Sequence, residues 1–142
     1  MLGLISILRA WLREIDGIWG CKMDLKERRA RFCYEAARLH AMMLGCPVIP
    51  KSWDNRDPDF RKQFVELVDD LCSGRRSFGD FKEAHDSWVR RYEEMGWIFG
   101  KKYDPENKVH PDLVPYEALD PKEKVKDEVF LRLVSIAKEC IW

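Results

Sequence analysis

Residues 84–130 read AHDSWVRRYEEMGWIFGKKYDPENKVHPDLVPYEALDPKEKVKDEVF, and the fold turns on them. The stretch begins inside a helix that starts upstream. Asp80 supplies an acceptor for the open N–H groups of a first turn, and Phe81, Trp88, Tyr92 and Met95 follow at helical steps as one apolar stripe. Gly96 stops that helix. Trp97 to Tyr116 alternates at first, then carries an Asp-Pro-Glu-Asn turn and prolines at 111 and 115. That pattern reads as a short strand or extended segment, a turn, then an ordered irregular stretch. Asp120-Pro121 with Glu123 restarts the chain as a helix, an acid cap followed by proline at the first helical position. Val125, Val129, Phe130, Leu133, Val134 and Ala137 supply its expected buried face, and Ile141-Trp142 closes it.

Upstream the same grammar recurs. Asp24 with Glu27 makes a capping-box-like start; Phe32, Ala36, Leu39 and Met43 repeat at helical spacing, and Gly45 ends the run. Pro47 and Pro50 mark a loop. Asp57-Pro58 opens another helix whose buried face is Phe60, Phe64, Leu67, Val68 and Leu71, ended by Ser73-Gly74. A short basic loop with Arg75 and Arg76 leads back to Asp80. There is no internal repeat and no low-complexity tract. The pattern is all-α, or helices with one tiny β-hairpin, and 142 residues at 46% hydrophobic suit one domain. That domain is placed at 23–142, with 1–22 as an N-terminal amphipathic helix or extension. Leu4, Ile5, Leu8, Leu12 and Ile15 share a helical face there, but Arg9, Arg13, Glu14 and Asp16 interrupt it, so it does not span a membrane. Three readings stay open: docking on the domain or a second copy, lying on a membrane surface, or a true start at Met23. The first and third are favoured, because only two cations flank the apolar face.

Lys plus Arg and Asp plus Glu both number 25, and a formal charge of zero argues against broad DNA binding, which needs a cation surplus. The five cysteines are odd in number and lack C-x-x-C spacing, as expected of free thiols in a reducing cytoplasm. His85 beside Asp86, and His110 with Asp104 and Asp112, are the acid–base candidates, but no motif with defined catalytic mechanics is present. The expectation is a non-enzymatic, cytoplasmic protein without cofactor or metal. The dense polar-aromatic region holds His85, Trp88, Tyr92, Trp97, Lys101, Lys102, Tyr103, Lys108, His110 and Tyr116. Ring faces with fixed cations are what a base and a phosphate each need. The same residues could instead form core aromatics beside a solvated lysine turn.

The ordered set His85-x-x-Trp88, Gly96-Trp97, Phe99-Gly100, Lys108-x-His110-Pro111, Leu113-Val114-Pro115-Tyr116, Glu123-Lys124 and Asp127 resembles the ryanodine-receptor repeat (RyR) domain. The match is closest over 81–130, and the preceding helices resemble small stand-alone RyR proteins of bacteriophages and bacteria. The resemblance implies a mainly α fold: a small orthogonal bundle of about four to five helices with one short β-hairpin or extended segment. In the calcium-release channels such repeats are peripheral and paired, and one pair accepts an adenine nucleotide. A single copy would form a pocket of the paired kind only as a homodimer. The expected ligand is therefore a small phosphorylated molecule, a nucleotide or nucleotide-derived signal. Trp88 or Trp97 would stack its base, Lys101, Lys102, Lys108 and His110 would meet its phosphates, and His85, Tyr92 and Tyr116 would line the site. The alternative is a protein-interaction or oligomerisation module. Gly96 and Gly100 are expected to take positive φ, and Asp127 to serve as an internal partner for a Trp N–H or a His.

Overall fold

The computed structural model describes residues 6–7 and 23–142. Ser6 and Ile7 are helical; the remaining expectations for 1–22 lie outside the described residues. Four helices dominate: α1 (Leu25–Leu44), α2 (Pro58–Ser73), α3 (Phe81–Glu94) and α4 (Pro121–Cys140). Single 3-10 turns at Trp53–Asn55 and Tyr116–Ala118 lead into α2 and α4, and two strands, β1 (Ile98–Phe99) and β2 (Val109–His110), sit between α3 and α4. α1 packs against α2 and α4, while α3 joins the bundle through α4 and the 116–118 turn.

The caps explain most of the boundaries. Asp57, Asp80 and Asp120 each accept a first-turn backbone N–H, from Asp59, Glu83 and Lys122 respectively. Asp24 makes no such side-chain bond; only its carbonyl accepts, from the Arg28 N–H, so the capping box does not form. Gly45 and Gly74 end α1 and α2 in the left-handed conformation.

The buried faces differ from the expected stripes in three helices. α1 turns Ala30, Cys33, Tyr34 and Ala41 inward, leaving Leu39 55% and Met43 79% exposed. A 3.6-residue period cannot tell which of two adjacent apolar stripes the neighbours cover, and here small residues win because α2 and α4 approach closely. In α3, Phe81 lies at the exposed end, whereas Ala84 and His85 are buried. Val125 of α4 is likewise exposed, while Val134 and Ala137 carry the burial. The expected stripe of α2 holds, with Phe60 and Val68 buried and Phe64 and Leu71 packed on them.

The strands pair in parallel, Ile98 with Val109 and Phe99 with His110, so no two-strand hairpin forms. The chain reverses twice between them, once after Gly100 and once in the Asp-Pro-Glu-Asn turn that the antiparallel Asp104–Val109 bridge closes. Two reversals return the chain in its starting direction. Gly96 has the expected positive φ of 87°. Gly100 does not; it is needed for space, because an added Cβ would collide with Cγ1 of Val109. G100A is therefore expected to cost about 1–3 kcal/mol in urea denaturation, and the second change V109A to recover most of that loss.

The loop from Cys46 to Arg56 is fastened to the helices by side chains. Tyr34 Oη donates to Lys51 O (2.5 Å), Arg38 Nε to Pro50 O (2.9 Å), and Glu35 accepts the Trp53 N–H (2.6 Å). Val48 donates its N–H to Glu123 (3.3 Å) and accepts from Lys126 Nζ (2.7 Å). Trp53, 1% exposed, is thereby set among Tyr34 and Phe64. The loop contributes to the core as a helix would, and it fixes where Arg56 points.

Candidate functional site

The expected site residues are brought together only in part. His85, Trp88, Tyr92 and Tyr116 form one chain of rings: Tyr116–His85 at 6.0 Å, His85–Trp88 at 5.6 Å, Trp88–Tyr92 at 4.4 Å. It continues from Tyr92 to Trp97 at 5.1 Å and from Trp97 to Tyr103 at 6.4 Å. His110 stands inside this chain, edge-on to Trp88 (4.9 Å), Tyr103 (5.2 Å), Tyr92 (5.7 Å) and Trp97 (5.9 Å). Burial, followed by the positive charges of Lys126 and Arg56, pushes the His110 imidazole down to about 3. It is neutral at pH 7, with Nδ1 accepting the Asp112 N–H (3.1 Å). A neutral ring enclosed by four others is not a phosphate cation.

The lysines lie elsewhere. Lys101 and Lys102 are exposed on the turn. Lys108 is also exposed, and its Nζ donates to Met95 O at 2.9 Å. It borders an outer groove with Trp97, Tyr103 and Arg56. Asp57, Asp59 and Glu94 line the same groove, so it carries no net positive charge to hold a phosphate.

A second recess, of about 200 Å³, is bounded by all four helices and the 46–56 loop. Trp88, Tyr92, His85 and His110 line it, as do Phe60 and Phe130. Its principal cation is Arg56, shared with the outer groove. The guanidinium lies over the Phe60 ring, 3.5 Å from its centroid, and donates to Tyr92 Oη (3.0 Å) and Tyr34 Oη (3.3 Å). Among the described residues it has no carboxylate within ion-pair distance. Arg91, also on the wall, donates to Ser87 Oγ at 3.5 Å, and burial and the nearby Arg76 hold it below the usual arginine range against the pull of Glu94. A guanidinium beside open ring faces has the donors to pair with an anion.

The opposite wall is acidic. Asp112 bonds to Glu123, and two carboxyl groups so joined retain a proton between them. Glu123 is itself held by Lys126 at 2.5 Å. Asp127 faces His85 Nδ1 at 3.8 Å, too far for a hydrogen bond, so the expected internal partnership does not form as a bond. His85 instead bonds through Nε2 to Val114 O (2.7 Å). Burial raises both Asp112 and Asp127 to about 7, with Glu123 adding to each. Among the described residues no trio of His, Cys, Asp or Glu converges to hold a metal ion. Cys33, pushed up to about 12 chiefly by burial, is a packing residue with no nucleophilic character at neutral pH.

These groups set a pH dependence whose sign can be worked out. Between about pH 4 and 6.5 the folded chain holds protons on Asp112 and Asp127 that the unfolded chain has released, and the unfolded chain holds one that His110 lacks. The folded state thus binds about one proton more, and stability is expected to fall by roughly 1.4 kcal/mol per pH unit over that window. Melting curves at pH 5, 5.5 and 6 check this, and Asp127→Asn should remove most of the slope.

Arg56, Arg91 and the meeting of Asp112 with Glu123 were not visible in the sequence, which offered Asp112 only as an acid–base neighbour of His110. Asp112 lies beside His110, but nothing in the spacing turns Arg56 inward, one residue before a helix cap. The motif residues do converge: His85, Trp88, His110, Glu123 and Asp127 all reach this cavity. The RyR domain family model matches residues 62–133, half of the chain. The chain belongs to the RyR domain family. The match begins within α2 and ends within α4, so the RyR motif supplies three walls of the cavity, and α1 with the 46–56 loop supplies the rest. Among the described residues, no helix of this RyR domain is long and apolar enough to cross a membrane.

Proposed function

We propose that this RyR domain is a non-enzymatic, cytoplasmic binding module for a small phosphorylated ligand that carries a ring, a nucleotide or nucleotide-derived signal. It would work by sequestration or sensing in a bacterial or phage-infected cell. The observation that carries this reading is Arg56: a guanidinium in a ring-lined cavity, held by two phenols and one ring face, with no carboxylate partner among the described residues. Burying an unmatched charge is costly, and an anionic ligand would offset that cost. The cation of the site is thus Arg56, backed by Arg91, in place of the lysines of the 101–108 turn. Calorimetry of the folded protein with mono-, di- and cyclic nucleotides tests the reading. Saturable heat with at least one supports it, and none with any rejects it.

A second reading, a protein-interaction module, rests on Leu39, Met42 and Met43, a cluster of exposed apolar side chains at the end of α1. Light scattering of the full chain against one starting at Met23 addresses it. Monomers of equal solubility in both cases would remove self-association.

A further inference from the structure

Residues 98–102 border neither the cavity nor the outer groove. Ile98 is 61% exposed and Phe99 55%, although they are neighbours in β1. Successive side chains of a strand point to opposite faces, so a strand lying on the body of a domain has one of the two covered. In β1 both stand clear. Gly100 follows, the chain reverses, and Lys101 and Lys102 are exposed on the reversal. Two apolar side chains and two ammonium groups thus share one protruding tip. The tip is fastened from beneath. The Ile98 N–H donates to Lys108 O (2.9 Å), and Asp104 and Val109 exchange two backbone bonds (3.0 and 2.9 Å). Lys108, at a positive φ of 54°, donates its Nζ to Met95 O (2.9 Å). The close approach of Gly100 to Val109 leaves no room for the turn to shift inward.

The charge of the tip is uncompensated. Neither Lys101 nor Lys102 has an ion pair or a side-chain hydrogen bond among the described residues. The nearest carboxylates in the chain are engaged: Asp104 accepts from Asn107 Nδ2 (2.6 Å) and from its N–H (3.2 Å), and Glu106 is held by Lys51 (3.0 Å). Cations and anions balance over the whole chain at 25 each, so any attraction to a negative surface is confined to such a patch. Shape then decides between partners. A stable protein interface needs roughly 800 Å² from each side, and two side chains on a chain reversal do not offer a face of that size. A bilayer interface requires no matching shape. It takes apolar side chains at the acyl boundary, and lysine stems lie along that boundary with their ammonium groups among the headgroups. Anionic headgroups supply the opposite charge.

We infer that Ile98 and Phe99, with Lys101 and Lys102 beside them, form a docking tip for an anionic lipid surface. The contact is peripheral and reversible, because only two apolar side chains enter the boundary. It goes beyond the proposed function and does not depend on it, since none of the four residues lines the cavity.

The test is co-sedimentation of the full chain with phosphatidylcholine vesicles that do or do not contain about 30% phosphatidylserine. Binding should be at least 10-fold tighter to the anionic vesicles and should weaken as salt is added. Ile98→Ser with Phe99→Ser, and separately Lys101→Glu with Lys102→Glu, should each reduce it at least 10-fold, with unchanged far-UV circular dichroism. Should the serine pair fail to fold, the glutamate pair, on the exposed turn, decides. No binding to the anionic vesicles overturns the inference, as does equal binding to both kinds. Binding that survives either pair of substitutions also overturns it, and would place the lipid contact in another segment, such as 1–22. A concentration-dependent dimer in light scattering that the serine pair abolishes, without vesicle binding, would assign the tip to a protein contact instead.

Discussion

Arg56→Met is expected to weaken binding of the anionic ligand by about 100-fold or more while leaving the fold nearly as stable. Hydrogen bonds to a charged group contribute about 1.5–3 kcal/mol each, and a guanidinium facing an anion offers two at once. Losing that pair alone corresponds to roughly two to four orders of magnitude in affinity. The fold is affected less because two contributions oppose each other. The bonds to Tyr34 and Tyr92 disappear, but so does the cost of keeping an uncompensated charge out of water. Tyr34 keeps its bond to Lys51 O, and the methionine side chain still covers the Phe60 ring. Arg56→Lys should fall between, since it restores the charge but not the planar fork. Calorimetry beside thermal melting separates the effects. Unchanged affinity with Met at position 56 would show that the ligand's charge is met elsewhere.

Trp53→Ala should be the most damaging single change to stability, about 3–5 kcal/mol. That is a large part of the ~5–15 kcal/mol that keeps a domain folded. Trp53 is the largest fully buried side chain, packed on Tyr34 at 5.4 Å and Phe64 at 5.9 Å. Its ring anchors the loop that carries Arg56 against Tyr34 and Phe64, so ligand affinity should fall with stability. Trp53→Phe should be much milder, because the indole Nε1 has no acceptor among the described residues and its removal relieves a buried donor. Leu39→Ala, on the exposed face of α1, should change stability by less than about 0.5 kcal/mol. Urea titrations of the three variants rank them, and a Leu39 cost approaching that of Trp53 would contradict the packing described.

The helices were legible because their signals are local. Asp57-Pro58 and Asp120-Pro121 each combine an acceptor for an open N–H with a residue that needs none, and both caps form as read. The His85–Trp88–Tyr92 spacing placed three rings on one helix, and they do touch. The stripe of α1 was misread because Leu39 and Met43 satisfy the same period as Cys33 and Ala41. Which stripe is buried depends on the closeness of α2 and α4, which the spacing within one helix does not contain. The lysines were grouped with the rings because they are near in sequence, yet the turn carries Lys101 and Lys102 outward.

Composition, caps, glycine stops and motif order alone determined a helical domain, its segment boundaries and its RyR membership, since each rests on interactions within a few residues or on a linear pattern. Tertiary structure decided the parallel strand pairing, the burial of Trp53 and the charge of the cavity. Those depend on segments far apart in the chain: Arg56 meets Tyr92, and Asp112 meets Glu123, only after α1, α2, α3 and α4 have closed around them. Burial then sets the protonation of Asp112, Asp127 and His110, because the free energy of a charge depends on the water and the neighbours around it.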